Sequence, residues 1–270
     1  MDLRHFERLA ELYSSGQYED LIRESRILLA EATDANDAAS ILGGVVESYS
    51  ILGRLEEARQ TLGELQQLNI TDLEIRLNTE FSAACLSVQE KKLEEGAAAF
   101  ASMLQRHSEA LKEQRFRYLY EDIQCRRALA LVELEKFTEA LPILRQAVSF
   151  SFDKGADEQR MHFWLGVCLD EARDAESARR EFDRVIGFGL ANDLEEHARY
   201  RLAKICFIAR GFAQARQQLE TIVRNHPDGR FVVAPKDVYQ GLSQISLQLG
   251  DTANAEFYLN LAREAGKHAG

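Results

Sequence analysis

A small residue recurs about every 38 positions along this chain, and that period constrains the fold more than any other feature. Ala58, Gly96, Ala140, Ala178, Ala215 and Ala255 share one local setting. Three positions earlier stand Leu55, Leu93, Phe137, Ala175, Phe212 and Thr252. Four positions later stand Leu62, Phe100, Leu144, Phe182, Leu219 and Leu259, and three beyond those Leu65, Met103, Ala147, Val185, Ile222 and Ala262. Offsets of 3, 4 and 3 put all of them on one helical face. A small residue held at one point of that face lets a neighbouring helix come close. A period in this range is the signature of stacked repeats, whose units bury their apolar faces against one another.

Each unit carries a second amphipathic segment upstream of the small residue. Leu165-Gly166 with Leu169 is its clearest copy; Leu202-Ala203 with Cys206, Leu242-Ser243 with Ser246, and Val45-Val46 with Tyr49 are others. Ser15-Gly16, Leu52-Gly53, Arg210-Gly211 and Leu249-Gly250-Asp251 separate the two segments. Glycine there is expected to supply the left-handed conformation that ends a helix. Pro227, after Asn225-His226, closes the sixth unit, because proline cannot continue a helix.

The pattern resembles the tetratricopeptide repeat family over nearly the whole chain. Trp164-Leu165-Gly166, Leu169, Ala178 and Phe182 form the best copy, and Leu202, Phe212, Ala215, Leu219 and Pro227 the next. The first copy departs, with Leu21 in the place of alanine. Steps of 37, 38, 44, 38, 37 and 40 exceed the standard repeat and imply longer helices or wider loops. The resemblance implies an all-α fold: a right-handed α-solenoid of antiparallel helix pairs, with no sheet. The expected organisation is one solenoid over 1–270, with repeats near 3–35, 38–70, 73–107, 111–152, 158–190, 195–227 and 235–267.

Three prolines and abundant Ala, Leu, Glu and Arg suit a helical chain. Pro227-Asp228-Gly229 reads as a turn, and Phe231-Val232-Val233 as an extended strap before Pro235 opens the next helix. Around the longest step, Phe116, Tyr118 and Tyr120 alternate, yet the stretch from Glu113 to Glu135 is read as helix. Gly43-Gly44 inside a helix is expected to permit close packing or a kink, at about 1 kcal/mol per glycine.

The first residues are charged where a signal peptide needs an apolar core, and no apolar run is long enough to span a membrane. A cytoplasmic protein is expected. Cys85, Cys125, Cys168 and Cys206 fall in first helices of different repeats, as buried free thiols in a reducing compartment. No metal-ligand spacing, phosphate loop or catalytic constellation stands out, so no cofactor, metal site or enzyme activity is expected. Glu195-Glu196-His197 reads as a solvated helix start, and Gly187-Phe188-Gly189 as a helix end. The net charge is −11, and residues 1–135 hold 15 basic against 25 acidic side chains. Such acidity disfavours nucleic acid.

By the resemblance, first helices line the concave wall. The expected groove residues are Asn78, Arg126, Arg160, Phe163, Trp164, Tyr200, Arg201, Lys204 and Gln244. Trp164 reads either as a binding anchor or as the repeat's usual packing aromatic. The lysine–asparagine pairing of a carboxylate clamp is missing beside Arg201 and Lys204, which leaves a looser site for an acidic peptide. Two functions follow. The first is a noncatalytic adaptor holding a peptide or partner protein in its groove. The second is a regulatory or assembly subunit that self-associates or docks through its end faces. No polar capping helix follows the seventh unit, so Phe257, Tyr258 and Leu261 of the last helix are the expected C-terminal interface.

Overall fold

The computed structural model describes residues 3–152, 155–226 and 231–267. Pro227, Asp228 and Gly229, read above as a repeat end and turn, lie outside the described residues. Among the described residues there are fourteen α-helices and no strand, so the fold is all-α. The chain divides into two compact units, Met1–Lys136 and Phe137–Gly270.

The first unit holds α1 (Leu3–Ser14), α2 (Tyr18–Glu31), α3 (Ala35–Ile51), α4 (Leu55–Gln66), α5 (Leu73–Gln89), α6 (Leu93–Arg106) and α7 (Arg117–Glu133). The second holds α8 (Phe137–Ala147), α9 (Gly155–Glu171), α10 (Ala175–Gly187), α11 (Asp193–Ile208), α12 (Phe212–Asn225), α13 (Pro235–Gln248) and α14 (Thr252–Lys267). Within each unit, consecutive helices joined by such short turns run antiparallel and pack side by side.

The recurring small positions are where the helices meet. Ala58, Ala140, Ala178 and Ala215 are fully buried, and Ala255 is 4% exposed. A Cβ on Gly96 would lie 2.4 Å from the Val88 side chain and 3.2 Å from the Ala84 carbonyl, so α6 approaches α5 as only glycine allows. At Gly166 the obstacle is the Phe182 ring at 2.8 Å, and at Gly241 it is Leu219 at 2.7 Å. The bulky residue of one helix thus fills the gap left by the small residue of another.

The turn between paired helices is the same throughout. Its left-handed residue is Gly16, Gly53, Lys91, Glu135, Arg173, Arg210 or Gly250, with φ between 57° and 76°. One residue further on, the backbone N–H donates back to the carbonyl five positions earlier, as in Gln17 to Leu12 and Gly211 to Cys206, each at 2.8 Å. That bond satisfies a helix-end carbonyl. At Arg210-Gly211 the expectation needs correction: Arg210 takes the left-handed conformation, while Gly211 has φ −80° and precedes α12.

Three other readings change. The stretch from Glu113 is not helical at its start. Two 3-10 turns, Ala110–Lys112 and Gln114–Phe116, drive Leu111 and Phe116 into the core before α7 begins, and they account for the longest step. Glu195 and Glu196 are buried rather than solvated. Glu195 accepts from the Ala191 N–H and from Arg199; Glu196 accepts from the Val233 N–H at 2.7 Å and lies 2.9 Å from His226. Gly43 and Gly44 serve no close packing, for a Cβ on Gly43 meets nothing within 4 Å and one on Gly44 only Leu21 at 3.9 Å.

The segment from Phe231 to Val233 is a strap, as expected. Phe231 packs on Tyr239, Val233 is buried, and Pro235 opens α13. Gly187 and Gly189 bracket the end of α10.

Candidate functional site

Each unit contains a cavity built mainly from first helices. In the first unit it holds about 510 Å³ and draws its walls from α1, α3, α5 and α7. The Asp34 and Asp72 side chains cap α3 and α5, each accepting two backbone N–H groups of the first turn. Asn36 ties the two repeats together: its amide oxygen accepts from the Thr71 and Asp72 N–H groups, and its amide nitrogen donates to the Thr71 hydroxyl.

Tyr13, Gly43, Gly44, Glu47, Asn78, Phe81, Ser82, Tyr118, Asp122 and Arg126 are among its lining residues. Arg126 donates to Asp122 at 3.1 Å and lies 5.4 Å over the Phe81 ring. Tyr13 and Glu47 face each other closely enough for each to shift the other's titration. Burial pushes the Tyr13 phenol up to about 12, and the Glu47 charge adds to the effect. Desolvation raises the Glu47 carboxyl above its ordinary value, although the residue is open to the cavity.

The second unit's cavity, about 270 Å³, lies between α11, α12 and α13. Ala203, Phe207, Leu219 and Ile245 give it apolar walls, and Ile208 stands 79% exposed at its side. Tyr200, Lys204, Asp237, Gln240 and Gln244 supply the polar groups. The Lys204 ammonium lies 5.9 Å from the Tyr200 ring centre. Burial and the neighbouring Asp237 raise the Tyr200 phenol.

Of the residues expected in a groove, Asn78 and Arg126 line the first cavity, and Tyr200, Lys204 and Gln244 the second. Arg160 is exposed on α9 beside Asp157, at 3.5 Å. Arg201 bonds Asp170 at 3.3 Å and lines neither cavity. Phe163 is 5% exposed; its ring packs on Phe182 and Trp164, which makes it core rather than an anchor. Trp164 is half-buried, edge-on to Phe163. At the last helix Phe257 is 55% exposed, Tyr258 stacks on Tyr239 with centroids 6.5 Å apart, and Leu261 is half-buried.

Sequence reasoning passed over Tyr13, Glu47 and Tyr118. The signal for their cavity was Gly43-Gly44, a helical glycine pair without a packing need. The four cysteines are free, and burial pushes Cys85 up to about 12 and Cys168 up to about 11. Thiols so held are poor nucleophiles. Among the described residues no group of three His, Cys, Asp or Glu side chains could hold a metal, and no helix is long and apolar enough to cross a membrane.

These features define a class, the helical repeat array in which antiparallel pairs stack through small residues. Residues 237–264 match the model of the tetratricopeptide repeat. No curated protein matches the sequence. In fold the chain is similar to RapI in its apo form, at 13% identity and TM-score 0.74, covering 99% of this chain and 77% of that one. It is also similar to the C-terminal part of a TPR repeat-containing protein from Cytophaga hutchinsonii, at 12% identity and TM-score 0.65, covering 95% and 93%. A third is YrrB, described as a TPR protein with an unusual peptide-binding site, at 19% identity and TM-score 0.56, covering 76% and 93%. At these identities the likeness is one of fold.

Proposed function

We infer that the chain is a noncatalytic scaffold that holds a segment of a partner protein against the first-helix face of its second unit. The cavity between α11, α12 and α13 carries this reading. Its apolar walls suit a side-chain anchor, while Gln240 and Gln244 can bond a peptide backbone. Lys204 supplies a cation for an acidic side chain. Arg160, Trp164 and Arg201 lie on α9 and α11 and extend the same reading to a longer segment. The peptide-binding site named for YrrB supports a peptide as the ligand class. The four free thiols suit a cytoplasmic setting. Exposed charges add little affinity each and act mainly on association rate, so the apolar anchor dominates.

A photo-crosslinking residue at Gln244, compared with one at Arg180 on α10, tests this in cells. The expected result is one partner segment captured at Gln244, absent at Arg180 and lost on Lys204→Glu with Tyr200→Ala. Equal capture at both positions, or capture indifferent to that double variant, overturns the reading.

One observation favours docking through the last helix as a second reading. The bulky packing residue is at most 2% exposed at Leu62, Phe100, Leu144, Phe182 and Leu219, whereas its counterpart Leu259 on α14 is 37% exposed, near Phe257. Light scattering of the wild type and of Phe257→Glu with Leu261→Glu decides whether this face joins two copies. A monomer in both removes self-association.

A further inference from the structure

We propose that the first-unit cavity is a separate binding site that takes a lysine or arginine side chain from an extended segment of a partner protein, with its cationic end on Glu47. This site is independent of the second-unit site and of opposite charge preference.

The first ground is the glycine pair. Gly43 and Gly44 sit inside a continuous α3 and weaken it relative to other residues. Neither is needed for packing, since a Cβ at Gly43 meets open space. What their bareness does provide is room: both line the cavity, and any longer side chain at Gly43 would occupy it. A volume of about 510 Å³ accommodates a long side chain with some adjoining backbone.

The second ground is charge. Asp122 and Arg126 pair with each other, at 3.1 Å, and the guanidinium lies over Phe81. Their charges offset. Glu47 leaves the wall with a net negative charge; among the described residues it makes no ion pair, and Arg126 acts on it only at longer range, opposed by Asp122. The surrounding protein desolvates the carboxylate, which raises its pKa. A carboxylate partly desolvated by its neighbours gains more from a cation than one wholly in open water. The acidic excess of residues 1–135 draws cationic segments toward this unit.

The third ground is the rest of the lining. Tyr13 and Phe81 line the cavity and supply apolar surface for the aliphatic stem of a basic side chain. Asn78 and Ser82 offer an amide and a hydroxyl to the backbone beside it.

The intact protein is probed with a positional-scanning array of octapeptides, one position fixed at a time. Lysine or arginine should be enriched at one fixed position. A fluorescein-labelled peptide carrying the preferred residues is then titrated into wild type, Glu47→Gln, Gly43→Gln and Lys204→Glu. Glu47→Gln should weaken binding about tenfold, as expected for loss of one charge-assisted contact. Gly43→Gln should abolish it by filling the cavity, and Lys204→Glu should leave it unchanged. Circular dichroism should show intact helices in every variant, because Glu47 is exposed and position 43 faces open space. Enrichment of neither lysine nor arginine at any position, or wild-type affinity in Glu47→Gln, overturns the proposal. Loss of the basic peptide on Lys204→Glu alone would place it in the second unit and also overturn it. Failure at Glu47 or Gly43 leaves the crosslink at Gln244 untouched, so the two readings fail separately.

Discussion

In the tight turns between the two helices of a pair, seven residues adopt the left-handed conformation, and of these only Gly16, Gly53 and Gly250 are glycine. Lys91, Glu135, Arg173 and Arg210 reach the same conformation because the flanking helices and the returning backbone bond demand it. For such residues that region is unfavourable by about 1–2 kcal/mol. Arg210 is exposed and makes no ion pair among the described residues, so its side chain contributes little in return. Arg210→Gly should therefore stabilise the chain, by about 0.5–1 kcal/mol once the greater freedom of unfolded glycine is subtracted. Gly53→Ala should do the reverse. Thermal denaturation midpoints read both; a lower midpoint for Arg210→Gly contradicts the strain. At this scale the sequence was legible only where glycine marked the turn. The other turns were hidden because packing, not propensity, imposes their conformation.

The helix faces were legible because their cause is periodic. One small residue per unit at the right offsets is enough to specify where neighbours approach, and those residues are buried. The periodic signal fails where tertiary context changes. Leu259 satisfies the pattern and is still 37% exposed, because burial depends on what lies opposite as well as on the face presented. The 3-10 turns before α7 escaped for a similar reason: Phe116 alternates with Tyr118 and Tyr120 in sequence, but Phe116 is 2% and Tyr118 70% exposed. Ala178→Leu and Ala215→Leu test the packing. Each places a larger side chain at a fully buried contact, so each should cost about 1–3 kcal/mol. Chemical denaturation measures it, and unchanged midpoints in both variants would sink the assignment of these positions.

For the molecule as a whole, charge pattern joins fold to function, and it was only partly legible. Tyr200, Lys204 and Gln244 could be picked out because they stand opposite the packing face of a recognisable helix. Phe163 could not be told from them, since its burial is set by Phe182 and Trp164 rather than by its own register. Glu47 was missed because its neighbours Tyr13 and Asp122 come from distant repeats. The same long-range pairing governs the response to acid. Arg59 on α4 donates twice to Glu90, at 2.9 and 2.6 Å, and holds that carboxyl down at about 2. Hydrogen bonds also lower Glu57 through Arg54, Asp174 through Ser177 and Asp251 through Asn254. A carboxyl held low in the folded state binds fewer protons there than in the unfolded chain. Its stabilisation is therefore present above its ordinary pKa, near 4.5 for Glu90, and is lost as pH falls from there toward about 2. Glu47 has the opposite sign: its raised carboxyl opposes folding once deprotonated, and acid relieves it. The depressed group outnumbers it, so stability should decline as pH drops below the ordinary carboxylate range. Glu90→Gln should be less stable than wild type at pH 7, and the gap should close as pH approaches 2. Denaturation midpoints across pH 2–7 measure this, and a gap that stays constant with pH would show that the Arg59–Glu90 pair does not govern the difference.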